Sequence, residues 1–372
     1  RGTLMEPTRG PLSSEPHGAP AAPAWGRPGP RPIAITLGDP CGIGPEIVLK
    51  AFAAGLPAPC VVIGDVGLLR RESERLRLGL AITPVASPGA LGDTAMSATL
   101  ADPLAAFSDS VPVIATTALP ADLPQGSLQA RGGDAAFRYV CRAAELALRG
   151  EVRAVVTAPL AKEALHLAGH HWPGHTELLA HLAGDVPVRM MLANHELRTV
   201  LVTIHLALRA ALDALSHEGI LETLRITHRA LLTMGVPAPR IALAGVNPHA
   251  GESGLFGREE IDLIAPVIAL ARAEGIDARG PFAPDTVFMR ARGFREFDVV
   301  IAMYHDQGLI PVKYLGLDEG VNITIGLPFV RTSPDHGTAF DIAGQPGEHG
   351  TGLADPRSLL AAIGQAHKLS LR

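Results

Sequence analysis

The sequence predicts an α/β fold built on a parallel sheet, and three observations carry the prediction. Residues 299–303 (VVIAM) form an apolar, partly β-branched run of the length expected of a strand buried on both faces, as in a parallel sheet. Two more runs, 197–204 (LRTVLVTI) and 241–246 (IALAGV), repeat the pattern, and all three lead into a histidine: His305, His205 and, through Asn247 and Pro248, His249. Helical patterns separate the strands, and 372 residues are long for one core and sufficient for two domains.

Composition narrows the class. Hydrophobic content of 47% with 19% charged residues predicts a soluble, globular, cytoplasmic protein, and no apolar stretch is long enough to span a bilayer. A net charge of -5 leaves no overall basic footprint, which argues against nucleic acid as a partner. Three cysteines, Cys41, Cys60 and Cys141, are an odd number without a CxxC spacing, so a reduced compartment is expected and neither a disulfide framework nor a zinc-cysteine site. Residues 1–31 are rich in Pro, Gly, Ala and Ser and too poor in large apolar groups to offset the entropy of ordering; they read as a disordered head. That head lacks the apolar centre of a secretory signal, Met5 is a possible true beginning, and its several arginines leave a transit-type role open though nothing else supports it.

Taken in order, the folded chain starts with a strand in PIAITLGD and turns through GDPCGIGPE into a helix, with Pro45 at a favoured first position and Glu46 at the positive end of the dipole. Gly38, Gly42 and Gly44 do not complete G-x-G-x-x-G, so they read as a tight turn and not as a nucleotide fingerprint. A short strand is expected over 59–64; from 72 to 123 no periodicity is firm. A helix over 135–148, a strand over 152–157 and a helix over 161–167 follow. His166, His170 and His171 lack the spacing of a metal pair and are assigned to surface or packing. Thr176, just ahead of a short helical pattern, is an N-cap candidate, and the helix start it marks is either only capped or an anion site. A strand is expected across 190–205, one long helix over 209–234, another over 259–274, and a terminal helix over 358–369. Asp285, beside a proline turn, either supports the chemistry or simply makes the turn.

Any one of the three strand-end histidines could merely close its strand. Three in the same context favour a metal, because parallel strands bring their carboxyl ends to a common edge and three protein ligands with open positions suit a catalytic divalent ion. Around His305 the stretch 297–331 also gathers Asp306, Gln307, Lys313, Asn322 and Arg331 in what read as loops past the strand end, where open α/β sheets bind ligands.

The segments GDPCGIGPE, PGHTE, NPHAGE, MYHDQG and GVNITIGLPFVRTSPDHGTAFDIAG, in this order, closely resemble the 4-hydroxythreonine-4-phosphate dehydrogenase family of vitamin B6 biosynthesis, from about Pro32 to the C-terminus. The resemblance implies the fold of isocitrate and isopropylmalate dehydrogenases: two α/β/α domains with a cleft between them. The first domain then comprises residues 32–160 and 333–372 on the cofactor side; residues 161–332 form the metal, substrate and dimer side. It implies metal ligands at His205, His249 and His305, and substrate contacts at His175, Thr176, Lys313, Asn322 and Arg331. HGTAFDIAG resembles a stretch that borders the adenine-nucleotide pocket in that superfamily, which puts NAD or NADP near His336, Gly337, Thr338 and Asp341. It further implies one divalent ion per subunit (zinc, cobalt or magnesium) and a homodimer whose active sites are shared between subunits.

The leading expectation is NAD(P)-dependent oxidation and decarboxylation of 4-phosphooxy-L-threonine to 3-amino-2-oxopropyl phosphate, with Asp285 or Lys313 as proton acceptor. Paralogues acting on 4-phospho-D-erythronate or 4-phospho-D-threonate share every motif and are the nearest rival. A branch acting on aromatic cis-dihydrodiol acids has no use for the phosphate-binding pair His175 and Thr176. A metal-dependent phosphoester hydrolase fits the histidines but not HGTAFDIAG, and a non-catalytic binding module does not need metal, anion and nucleotide features together.

Overall fold

A computed structural model describes residues 31–91, 110–316 and 320–371; the head expected over 1–31 lies outside the described residues but for its last. In chain order the elements are β1 (Ile33–Thr36), α1 (Gly44–Ala54), β2 (Cys60–Gly64), α2 (Val66–Arg75), β3 (Ala81–Pro84), β4 (Ser110–Ala115), α3 (Ala130–Leu148), β5 (Ala154–Thr157), α4 (Lys162–Leu167) and α5 (His175–Leu182). There follow β6 (Arg189–Ala193), β7 (Arg198–Leu201), α6 (Leu208–Asp213), α7 (His217–Thr233), β8 (Arg240–Ala244), α8 (Ala265–Ala273), β9 (Asp277–Phe282) and α9 (Pro284–Ala291). Last come β10 (Val299–Ala302), α10 (His305–Tyr314), β11 (Val321–Ile325), β12 (Val330–Pro334) and α11 (Arg357–Ser370).

The strands join in one 12-stranded sheet, in the order β3-β4-β2-β1-β5-β12-β11-β6-β7-β10-β8-β9. Strands β1, β5 and β10 are buried at every residue, as their uninterrupted apolar runs require of strands covered on both faces. Pairing is parallel through each outer half and antiparallel at β12/β11, β11/β6 and β6/β7, so the two parallel halves run in opposite senses. β10 lies between β7 and β8 and is parallel to both, which sends the three strand ends that lead to His205, His305 and His249 to one edge.

Three elements differ from the sequence expectation, each for a local reason. The strand expected across 190–205 is the hairpin of β6 and β7; Asn194 turns the chain, its Oδ1 accepting from the N–H groups of Glu196 and Leu197 at 2.8 Å each. The long helix expected over 209–234 is two helices, because Ser216 adopts an extended conformation and caps α7, its Oγ accepting from Gly219 N at 3.1 Å. The helix expected over 259–274 opens as a π-helical turn, Glu260–Ile264, before α8.

Two contacts fix the parts that later form the site. Glu46 is buried beyond any simple dipole role: its carboxylate accepts from Lys50 Nζ (2.8 Å), Arg75 Nη2 (3.1 Å) and Ala354 N (2.7 Å), tying α1, α2 and the approach to α11 together. Helix α3 crosses α4 so closely that a Cβ on Gly133 would lie 2.0 Å from the Ala164 carbonyl oxygen. The obstacle is backbone, which cannot swing aside as a side chain can. Gly133→Ala is therefore expected to destabilise by about 3 kcal/mol, the upper part of the overpacking range. A urea titration should show a lower midpoint with an unchanged slope.

Candidate active site

Against the antiparallel centre of the sheet lies a cleft of about 400 Å³. Its floor is made by strand side chains: Met190 from β6, Asn322 from β11, Arg331 and Ser333 from β12. Cross-strand register sets Asn322 opposite Ser333, and Thr324 opposite both Arg331 and Met190. Asn322 and Arg331 thus sit on strands, not in the loops where the sequence placed them, and a strand residue is held by its ladder better than a loop residue. One wall comes from the segment after β5, with Lys162, His175 and Thr176; the other comes from Ser333 through Gly337, including Asp335 and His336.

Arg331 is 3% exposed. Its Nη1 donates to Thr324 Oγ1 (2.9 Å) and its Nη2 to Thr157 Oγ1 (2.7 Å), while Nε has no partner. Among the described residues no carboxylate forms an ion pair with it, although Glu177 acts on it through space. Burial pushes its pKa down to about 10, which leaves it charged at neutral pH. Among the described residues two more buried atoms on the cleft lack partners, His175 Nε2 and Asn322 Oδ1, whereas Asp335 Oδ2 is answered by the Lys313 ammonium at 2.8 Å. Buried polar groups are nearly always paired, so three orphans around one cleft mark the place of a polar, anionic ligand.

His175 opens α5, whose cap position is Gly174 in an extended conformation with no side-chain capping bond. Thr176 is consequently inside the first turn, and the capping role expected of it falls away. Burial and the nearby Arg331 charge hold the His175 pKa well below its usual 6.5, so the folded protein keeps the ring neutral. The unfolded chain takes up a proton as pH falls below 6.5 and the folded one does not; stability is therefore full above that pH and declines beneath it. His175→Gln should show a smaller loss of stability between about pH 7 and pH 5, read from urea midpoints, than the unsubstituted protein.

His205 and His305 meet at the cleft's end, their ring centroids 5.8 Å apart. Burial first, then the charges of Lys162 and His305, lower the His205 pKa and favour its neutral, ligating form. His305 Nδ1 lies 2.7 Å from Asp306 Oδ1, so the carboxylate takes the Nδ1 proton's hydrogen bond and leaves Nε2 free to face a metal. This donor chemistry fits a divalent ion with open positions. His249 does not join the pair within one chain: its ring neighbours Phe256 at 6.3 Å, and among the described residues no three His, Cys, Asp or Glu side chains are grouped closely enough to hold a metal. The cause is the turn that follows β8, where His249 has φ 54° and the chain leaves the strand direction.

Lys313, in the last turn of α10, lies 2.8 Å from Asp335 Oδ2 and reaches the cleft through that contact. His336 and Gly337 line the cleft, and a Cβ on Gly337 would touch nothing within 4 Å, so backbone there is open to a ligand. Thr338 is behind them: its carbonyl accepts from Ile43 N at 3.0 Å, and Gly42 allows the approach, since a Cβ there would fall 2.8 Å from that oxygen. Gly42 of GDPCGIGPE thus seats the HGTAFDIAG segment. Asp341 and Asp285 are exposed and line no part of the cleft. His170 stacks on Phe137 at 3.8 Å, a packing role as expected. Lys162, Glu177, Thr157 and Asp335 are cleft residues that sequence reasoning missed; PGHTE and TSPDHGTAFDIAG contained two of them, whereas nothing in TAPLAKE marked the others.

An α/β chain with an anion cleft of this kind is, by its relatives, a dehydrogenase. Residues 56–366 match the family described as pyridoxal phosphate biosynthetic protein PdxA, and the chain belongs to that family. It is 49% identical over 345 residues to the 4-hydroxythreonine-4-phosphate dehydrogenase of Beijerinckia indica, covering 91% of this chain and 95% of that one. It is also 49% identical over 340 residues to the D-threonate 4-phosphate dehydrogenase of Salmonella typhimurium, covering 91% and 98%. The crystal structure of 4-hydroxythreonine-4-phosphate dehydrogenase from Klebsiella pneumoniae superposes with a TM-score of 0.79 at 45% identity, over 91% of this chain and 99% of that one. Dehydrogenases of this family call for a nicotinamide cofactor. Among the described residues no helix is long and apolar enough to cross a membrane.

Proposed function

We propose that the protein oxidises and decarboxylates 4-phosphooxy-L-threonine to 3-amino-2-oxopropyl phosphate, with NAD or NADP as hydride acceptor and a divalent ion at His205 and His305. The observation that carries the reading is the buried Arg331 guanidinium on the cleft, which has no ion-paired carboxylate and an unbonded Nε among the described residues, together with the unbonded His175 Nε2 and Asn322 Oδ1. Arg331 and the start of α5 bind the substrate's anionic group, where charge-assisted bonds and the helix dipole both favour it. Asn322 Oδ1 accepts from a substrate donor and fixes orientation. His336 and Gly337, where the HGTAFDIAG segment lines the cleft, would receive part of the cofactor, with Thr338 and Asp341 further along the same segment.

When bound, the divalent ion supplies Lewis acidity that makes a substrate hydroxyl easier to deprotonate. The hydroxyl proton passes to the Asp335 carboxylate, which lines the cleft and is held by Lys313 Nζ at 2.8 Å; Lys313 meets the cleft only through that contact, and Asp285 does not line it. Bound in the cleft, the nicotinamide would supply the hydride acceptor for oxidation of the carbinol carbon; the β-keto acid so formed loses carbon dioxide, and the enolate left behind takes back one proton from Asp335 to give the ketone.

A third imidazole comes from His249 of the partner subunit in this reading. Exposed apolar side chains flank each histidine: Leu206 and Leu208 next to His205, Leu255 and Phe256 after His249, Ile310 and Tyr314 on the helix that starts at His305. Apolar groups gathered at a polar site fit burial against a second copy. The two-lobed division, with residues 32–160 and 333–372 against 161–332, belongs to the same reading; its second boundary falls inside β12.

D-threonate 4-phosphate is the second candidate substrate, favoured by the equal identity to the Salmonella typhimurium enzyme. Following nicotinamide reduction with each purified phosphorylated acid, and with both cofactors, separates them. Turnover of the threonine derivative is the expected result, and turnover of only the threonate or erythronate phosphate would contradict it.

A further inference from the structure

The chain between β8 and the π-helical turn is held in a conformation that L residues avoid. His249, Ala250, Glu252 and Ser253, with Gly251 among them, all have φ between 41° and 78°, a left-handed turn of five consecutive residues. Single L residues visit this region; runs of them are disfavoured by the clash of Cβ with the following carbonyl. Such a turn persists only where its surroundings over-determine it, and strain of this sort gathers at functional sites.

The restraint is Glu260, first residue of the π-helical turn and 2% exposed. Its Oε1 accepts from the N–H groups of Val246 and Asn247, both at 2.7 Å, and its Oε2 from Asn247 Nδ2 at 3.1 Å. One buried carboxylate therefore grips the two residues by which β8 leads into the left-handed turn. A second side chain continues the linkage. Gln307, 8% exposed, accepts from Met303 N through Oε1 and donates to Gly245 O through Nε2, both at 2.7 Å. It bolts the end of β10, which delivers His305, to the end of β8, which delivers His249.

We infer that Glu260 and Gln307 are positioning residues: they hold the His249 turn and the β8 and β10 ends so that His305 serves the divalent ion of its own subunit while His249 reaches the ion of the partner subunit's site. The inference rests on the proposed metal reading and adds to it the groups that set the ligands. It assigns a purpose to the strain: without the grip on Val246 and Asn247 the turn relaxes toward ordinary backbone angles, and His249 leaves the position from which it ligates.

The test uses full-length protein stripped with a chelator and Co²⁺ as the probe, with Kd from equilibrium dialysis and unfolding temperature recorded alongside. Glu260→Ala is expected to raise the Co²⁺ Kd by about tenfold or more, the usual consequence of losing support behind a metal ligand. Glu260→Gln keeps the Oε1 acceptor and should restore binding to within about threefold of the unsubstituted protein. Gln307→Ala should weaken Co²⁺ in the same direction, and provides the answer should Glu260→Ala fail to fold. NAD⁺ affinity, set by the other wall, should stay unchanged in all three. Lower unfolding temperatures with Co²⁺ Kd unchanged in Gln307→Ala, or in a folded Glu260→Ala, would overturn the inference and leave the metal reading standing. An unsubstituted protein that retains no Co²⁺ would overturn both.

Discussion

Arg331→Ala lowers kcat/KM by about 10³-fold, because truncating one side of a buried charged contact removes roughly 2–5 kcal/mol and each 1.36 kcal/mol is a factor of ten. The guanidinium is 3% exposed and charged, and among the described residues its side-chain hydrogen-bond partners are the hydroxyls of Thr157 and Thr324. Neither neutralises it, so an anionic ligand is its natural counter-charge. Arg331→Lys should recover less than about tenfold, since an ammonium cannot keep both hydroxyl bonds and also present a third donor edge. Arg331→Met separates this account from a structural one. An apolar isostere removes an unpaired buried charge, and such replacements are often neutral or stabilising. The unliganded Arg331→Met protein is therefore expected to unfold at no lower urea midpoint than the unsubstituted protein while having lost activity. Steady-state kinetics and a urea titration on the same preparations check both halves.

His305→Ala and His205→Ala are each expected to lower kcat by about 10³-fold or more, since a divalent ion contributes several kcal/mol of transition-state stabilisation. Metal content after dialysis should fall with activity, while NAD⁺ binding stays intact. Asp306→Asn gives a graded version. It leaves the imidazole in place but removes the carboxylate that lies 2.7 Å from His305 Nδ1, and about 10- to 100-fold in metal affinity should be lost. Full metal retention in His305→Ala would contradict the ligand assignment.

The parallel halves of the sheet were legible in part because strands covered on both faces must be apolar throughout; VVIA read as such and forms β10, while IAIT and AVVT, read only as strands, form the equally buried β1 and β5. The common edge for the three histidines followed from the same pattern, through the placement of β10 between β7 and β8. The hairpin of β6 and β7 and the break between α6 and α7 were missed for a different reason. Each depends on one short polar side chain, Asn194 or Ser216, bonding to backbone two or three residues on, and both were overlooked inside longer apolar patterns. The cleft itself was legible in its motif residues His175, Asn322 and Arg331. Their being strand or helix-start residues was not, since that depends on antiparallel pairing between segments far apart in the chain. Lys162 and Thr157 carry no motif at all; only the fold brings them to the wall. The left-handed turn at His249 was equally silent, because NPHAGESG suggests a turn but not its handedness.

The proposed ion lies between His205 and His305 of one subunit and His249 of the partner subunit. Co-expressing the His249→Ala and His305→Ala chains, each inactive by itself, tests this sharing directly. A hybrid dimer then contains one site with all three imidazoles and one site lacking two, and random pairing makes half of the dimers hybrid. The account predicts recovery of about a quarter of the unsubstituted activity. A mixture as inactive as its two parents would contradict it.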